Sequence, residues 1–256
     1  MSFKKTLLTA GLIAATTSAS AAVINGSGLQ NGLNSVTQGG TFSQNVNDEN
    51  QQYNPDQVWT LDAVSSANAV MMFEFAGFAN SNTMGIYDLD SNSSLELFSG
   101  AASTGFSTKL QISGSNLIAT YFDGNGSYTG QASTNFGGDT QFGFYLSTPE
   151  SNTFYSQAAR NGDADNDGIA DDHMVTFRGD GSDMMDPDQD GNYGSFTSNN
   201  FILAWEDLRL NSADRDYADM VVMVESFVPV SEPGTFALLG LGLAGLGFAR
   251  RKQAKA

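Results

Sequence analysis

The chain contains no cysteine. That removes disulfide staples, thiolate nucleophiles and thiolate metal ligands together, so the fold rests on its own core or on a bound hard cation. Histidine is nearly absent too, with His173 alone. One histidine excludes a multi-histidine metal centre and an H-E-x-x-H zinc site. A Ser-His-Asp triad would have to use His173, and no G-x-S-x-G elbow is present to offer its serine. Walker-type phosphate loops are missing as well. Basic residues are few: 11 Lys and Arg stand against 28 Asp and Glu, for a net charge of -17. Six of the eleven, Lys4, Lys5, Arg250, Arg251, Lys252 and Lys255, lie at the two ends. A body this acidic repels phosphate backbones and anionic lipid headgroups, which argues against nucleic acid and for divalent cations. The same charge also serves solubility. Proline is scarce at 5 residues while glycine reaches 28, the make-up of short strands joined by many turns.

Long hydrophobic runs are confined to the termini. Met1 to Ala22 has a basic start (Lys4, Lys5), an apolar stretch from Leu7 to Ala15 and an Ala19-Ser20-Ala21 cleavage pattern. It reads as a signal peptide, 1–22, with a signal helix too short to span a bilayer and a signal peptidase as partner. At the other end Gly234 to Ala249 is uncharged and Arg250, Arg251 and Lys252 follow at once. Sixteen helical residues reach ~24 Å, short of a ~30 Å hydrocarbon core. Glycines at 240, 242, 245 and 247 weaken the helix further. A marginal transmembrane segment at 234–249 suits transient inner-membrane anchoring, with the basic cluster cytoplasmic and the body outside.

Ser231-Glu232-Pro233, the Leu/Gly-rich span and the Arg250-Arg251 cluster resemble the PEP-CTERM sorting signal of Gram-negative bacteria, with Ser231 standing where the first proline is usual. The resemblance implies that an exosortase-type enzyme processes the tail, 231–256, and delivers the protein to the cell surface or exopolysaccharide matrix.

Between the ends, apolar and polar residues alternate in short runs at Val70 to Phe75, Leu95 to Phe98, Lys109 to Ile112, Leu117 to Phe122, Gln141 to Leu146, Met174 to Phe177, Phe201 to Trp205 and Met220 to Val224. Gly, Asn, Asp and Ser clusters separate them. The pattern predicts an all-β, antiparallel, jelly-roll-like sandwich over 55–230. Residues 23–54, rich in Gly, Asn, Gln and Ser, read as a loosely ordered leading segment with one strand.

Two acidic constellations stand out. Asp163 to Asp190 holds ten aspartates and no glutamate. Within it Asp163, Asp165, Asp167 and Asp171 alternate around Gly168, a spacing that gathers oxygen ligands for Ca²⁺. The EF-hand form is excluded, because Met174 stands where its twelfth-position Glu belongs; the loop instead resembles the D-x-D-x-D-G-I-x-D loops of thrombospondin type-3 and dockerin-like repeats. Asp186, Asp188 and Asp190 repeat the alternation before Gly191. In the second constellation Glu206 and Asp207 end one strand, and Asp214, Asp216 and Asp219 precede the next. A hairpin would bring all five together, as cation ligands or with one paired to Arg215.

The run WEDLRLNSADRDYADMVVMV resembles the closing motif of the domain-of-unknown-function 4114 family, with Trp205 for the usual Phe and Ala218 for the usual Asn. Upstream pieces at Ala76 to Gly100, Phe142 to Thr148 and Asp171 to Phe177 are similar in order. That family is associated with exported and surface proteins, and the resemblance implies no established enzymatic activity. The expected function is an exported, non-catalytic surface or matrix protein with a calcium-stabilised sandwich. A calcium-dependent carbohydrate-binding module, with tyrosines such as Tyr121, Tyr128, Tyr145 and Tyr155 stacking on sugars, is the alternative, and a glycan hydrolase the third.

Overall fold

A computed structural model of the chain describes residues 22–39, 51–54, 56–61, 66–74, 81–91, 93–138, 140–150 and 152–230. The signal segment up to residue 21 and the tail with Ser231, Glu232, Pro233, Arg250, Arg251 and the 234–249 span lie outside them, as do both expected terminal helices. No helix among the described residues is long and apolar enough to cross a membrane.

The described residues belong to one compact unit. In chain order it comprises α1 (Gly28–Val36), β1 (Thr37–Gly39), β2 (Trp59–Leu61), β3 (Ser66–Phe73), β4 (Thr83–Asp88), β5 (Ser94–Phe98), β6 (Ser107–Ser113), β7 (Asn116–Phe122) and β8 (Tyr128–Asn135). There follow β9 (Gln141–Ser147), β10 (Thr153–Tyr155), β11 (Met174–Arg178), β12 (Asp183–Met185), β13 (Gly194–Ser195), β14 (Asn200–Trp205), β15 (Met220–Glu225) and β16 (Phe227–Pro229). Seven strands form one antiparallel sheet in the order β11-β14-β15-β3-β6-β7-β8. A six-stranded sheet runs β16-β2-β9-β4-β5, with β10 also pairing β9. A small third sheet is β1-β12-β13. The expected all-β antiparallel sandwich is what forms.

The larger apolar core lies between the two main sheets. Trp59, Met84, Ile86, Phe142, Phe144 and Leu146 come from one side and Met71, Leu110, Phe201, Leu203, Trp205 and Val222 from the other. Trp59 is central, edge-on to Phe144 at 5.4 Å and to Phe201 at 5.1 Å. The seven-stranded sheet also has a covered outer face, where Val175, Phe177, Ile202, Ala204 and Val221 meet Leu29, Leu33 and Val36 of α1 and Met185 of β12. Burial on both faces explains why β14 and β15 are apolar almost throughout, while β8, a polar edge strand, is wet along both faces.

The expected strand of the leading segment is present as β1, and composition did not reveal the helix ahead of it. Residues 28–36 are helical, burying Leu29, Gly32, Leu33 and Val36 at the spacing of one helix face. Nine residues are too few for a stable isolated helix, so packing holds it. Gly32 is required by that packing, since a Cβ there would lie 2.4 Å from Phe73 Cζ.

Candidate metal centre

Register places the site. Met174 of β11, Trp205 of β14 and Met220 of β15 lie side by side. The loops 163–173 and 206–219 therefore spring from one line at one end of the seven-stranded sheet. Glu206 N–H donates to His173 O at 3.0 Å and Asp219 N–H to Trp205 O at 3.2 Å, extending the pairing into the loops.

The predicted hairpin gathers its five carboxylates around Glu206. Oxygens of Glu206, Asp207 and Asp219 lie within 4.8 Å of one another, and so do those of Glu206, Asp214 and Asp216. Ligands around Ca²⁺ sit at ~2.3–2.6 Å, so oxygens across one ion are at most ~5 Å apart; both trios meet that limit. Glu206 is fully buried and Asp207 nearly so. Glu206 Oε1 accepts from Leu208 N–H, while its buried Oε2 has no hydrogen-bond partner. Asp219 Oδ2 accepts from Asp207 N–H at 2.9 Å. Asn82, just before β4 in the opposite sheet, donates through Nδ2 to Asp207 Oδ2 at 2.8 Å, and its buried Oδ1 is without a partner. Arg215 and Tyr217 adopt left-handed φ of 60° and 53° on either side of Asp216, folding the loop back toward Glu206.

Electrostatics follow from crowding. Two ionised carboxylates 4 Å apart repel by about 4 kcal/mol even at an effective dielectric of ~20. Burial first, then Asp219, pushes the Glu206 carboxyl up to about 9. Burial likewise raises Asp219 to about 7, with Asp207 adding to the rise. Asp207 and Asp216 are raised by burial as well. Without a cation the cluster must hold protons; a divalent ion would replace them. A buried acceptor with no donor, ringed by four carboxylates, fits such an ion.

Neither arginine nearby neutralises this cluster. Arg209 donates to Asn152 Oδ1 at 3.1 Å, and Arg215 reaches across to Asp165 Oδ2 at 2.6 Å. The expected alternative of Arg215 paired with Asp214 or Asp216 is thus replaced by a bridge between the two constellations. Asp216 Oδ1 instead accepts from Ala218 N–H.

In the first constellation Asp163, Asp165 and Asp171 place oxygens within 4.8 Å. Asp167 stays out of this set, its Oδ1 accepting from Ile169 N–H. Asp163 accepts from the N–H groups of Asp167 and Gly168, four and five residues on. Asp186 does the same with Asp190 and Gly191. Asn166 and Gln189 take left-handed φ at matching positions, as do Gly168 and Gly191. The two segments are one local fold used twice. Arg215 already stands as the cation of the first, holding Asp165 below the usual carboxylate range. Ile169 is 59% exposed rather than tucked into a core.

His173 is buried, stacks on Phe154 at 3.8 Å and shares Nδ1 with Glu206 O. Burial pushes its imidazole down to about 4, so it is neutral at physiological pH. The partners that sequence spacing missed are Asn82, Arg215 toward Asp165, and Tyr217, whose buried hydroxyl donates to Asp172 O at 2.7 Å. All depend on contacts between distant segments. Asn82 lies in the 76–100 piece that resembles the domain-of-unknown-function 4114 family, but no strand was expected beside it, and Arg215 was expected to pair within its own constellation.

No curated protein matches the chain. Residues 136–226 match the family described as domain of unknown function DUF4114. Both carboxylate constellations lie inside that stretch, and the similar upstream piece at 76–100 lies outside it. Residues 229–252 match the PEP-CTERM protein-sorting motif, so the chain carries a signal for export through an exosortase-type system with a transient membrane-anchored step.

Proposed function

We propose that this is an exported, non-catalytic protein of the cell surface or exopolysaccharide matrix whose sandwich is closed at one end by Ca²⁺. Glu206, Asp207 and Asp219 hold the first ion, with Asp214 and Asp216 offering a second position that shares Glu206. The observation that carries the reading is Glu206 Oε2, buried without a partner among four other carboxylates, with no cation paired to them among the described residues. Calcium suits the set because it accepts many oxygens in irregular geometry, where magnesium keeps its waters. The loop with Asp163, Asp165, Asp167 and Asp171 is a weaker site on this reading, since Arg215 competes for Asp165. A non-catalytic role is supported by His173, neutral and stacked under Phe154.

Calorimetric titration of the EDTA-stripped protein with calcium tests this. Saturable binding with proton release, larger at pH ~6 than at pH ~10, is the expected result, because bound calcium displaces protons from raised carboxyls. An absence of binding at millimolar calcium would sink it.

A further inference from the structure

The outer face of the six-stranded sheet carries a separate feature. Strands β4 and β9 pair so that Gly85 faces Tyr145 and Tyr87 faces Gly143. Each tyrosine lies over the glycine opposite: a Cβ at Gly143 would sit 2.3 Å from Tyr87 Cζ, and one at Gly85 would sit 2.6 Å from Tyr145 Oη. The missing side chains let both rings lie down on the sheet. Tyr155 of β10, in register with Tyr145, stands edge-on to Tyr87 at 5.1 Å. The guanidinium of Arg160 rests over Tyr87 at 4.4 Å and over Tyr155 at 4.3 Å.

These groups enclose a cleft of about 350 Å³, with the hydroxyls of Ser147 and Thr153 on its rim. That volume is in the range of small-ligand sites. Burial pushes the Tyr145 phenol up to about 12, so its O–H stays a donor at neutral pH. Arg160 is exposed and has no acidic partner among the described residues, in a chain of net charge -17. Its planar fork, pre-oriented by two rings, matches a carboxylate in bidentate fashion. Flat aromatic faces beside hydroxyls suit the C–H face and the rim of a pyranose ring.

We infer that this cleft binds an acidic saccharide, with a uronic-acid pyranose stacked on Tyr145 and its carboxylate held by Arg160. The site shares no residue with the carboxylate cluster, so it stands or falls apart from the calcium reading.

The test is titration of the full protein with tetragalacturonate and with a neutral tetraglucoside, in calcium and in EDTA. Variants Arg160→Ala, Arg160→Lys and Tyr145→Ala are compared, with circular dichroism confirming that each folds. Expected is binding of the uronate in both buffers. Arg160→Ala should weaken it by ~10-fold or more, and Arg160→Lys should recover only part. The neutral sugar should bind more weakly and ignore the Arg160 changes. Binding of both sugars alike would overturn the inference. So would binding that needs calcium and is indifferent to Arg160, which would mark a calcium bridge instead. No binding of the uronate by a folded wild type would also overturn it.

Discussion

Glu206 shows how one residue sets the sign of a pH response. Its carboxyl ionises near the ordinary value of 4.5 in the unfolded chain but at about 9 in the metal-free fold. Between those values the native state binds more protons than the unfolded state, so stability falls as pH rises. Asp219, raised to about 7, adds to the same trend from below. His173 acts oppositely: with its imidazole down at about 4, stability falls as pH drops below ~6.5. Metal-free protein should therefore melt highest in mildly acidic solution and lower toward pH ~9. Glu206→Gln keeps the shape and removes the charge, so it should raise the metal-free melting temperature at pH ~8 by several degrees and flatten its pH dependence. Melts in EDTA across pH check this, and an unchanged profile in the variant would place the burden on other groups.

At the scale of elements, the sequence and the structure agree where hydrophobic alternation is strong. Each of the eight predicted runs falls on a strand, β3, β5, β6, β7, β9, β11, β14 and β15, with Phe75 of the first outside the described residues. Strands without that pattern escaped. β8, with sequence YTGQASTN, buries no residue fully and is held by its pairing with β7. β4 is broken in pattern by Gly85, where a side chain would meet both the Leu95 carbonyl and the Tyr145 ring. α1 escaped because Gly, Asn and Ser obscure a stripe of only Leu29, Leu33 and Val36. The five carboxylates of the candidate site were legible because a short hairpin is a local inference. Arg215 with Asp165 and Asn82 with Asp207 were not, being 50 and 125 residues apart. Gly143 offers a test of element packing. Gly143→Ala drives a methyl into the Tyr87 ring and should cost about 1–3 kcal/mol, read by denaturant melts. A neutral result would mean that the ring swings clear freely.

Across the whole molecule, the seven-stranded sheet is a middle layer with an apolar core on each side. The helix and the small third sheet cover the outer core, so residues 28–39 are part of the folded unit. Leu33→Ala, at a fully buried position of α1, should cost about 2–5 kcal/mol. If α1 were a dispensable flap, denaturation would register less than ~1 kcal/mol. The candidate metal centre sits at the other extreme of dependence: its carboxylates crowd where three strand ends align, and Asn82 ties them to the opposite sheet. An ion there would tie the 206–219 loop together beside Asn82 of the opposite sheet, in a chain that has no disulfide to do so.

Thermal unfolding of the wild type and Glu206→Gln, each in EDTA and in millimolar calcium at pH ~8, addresses this most directly. A ligand present at ~100 times its dissociation constant stabilises by ~2.7 kcal/mol. The wild type should melt several degrees higher in calcium, while the variant, more stable than wild type in EDTA, should gain far less. A wild-type melting temperature that is the same in calcium and in EDTA would contradict a calcium-closed sandwich.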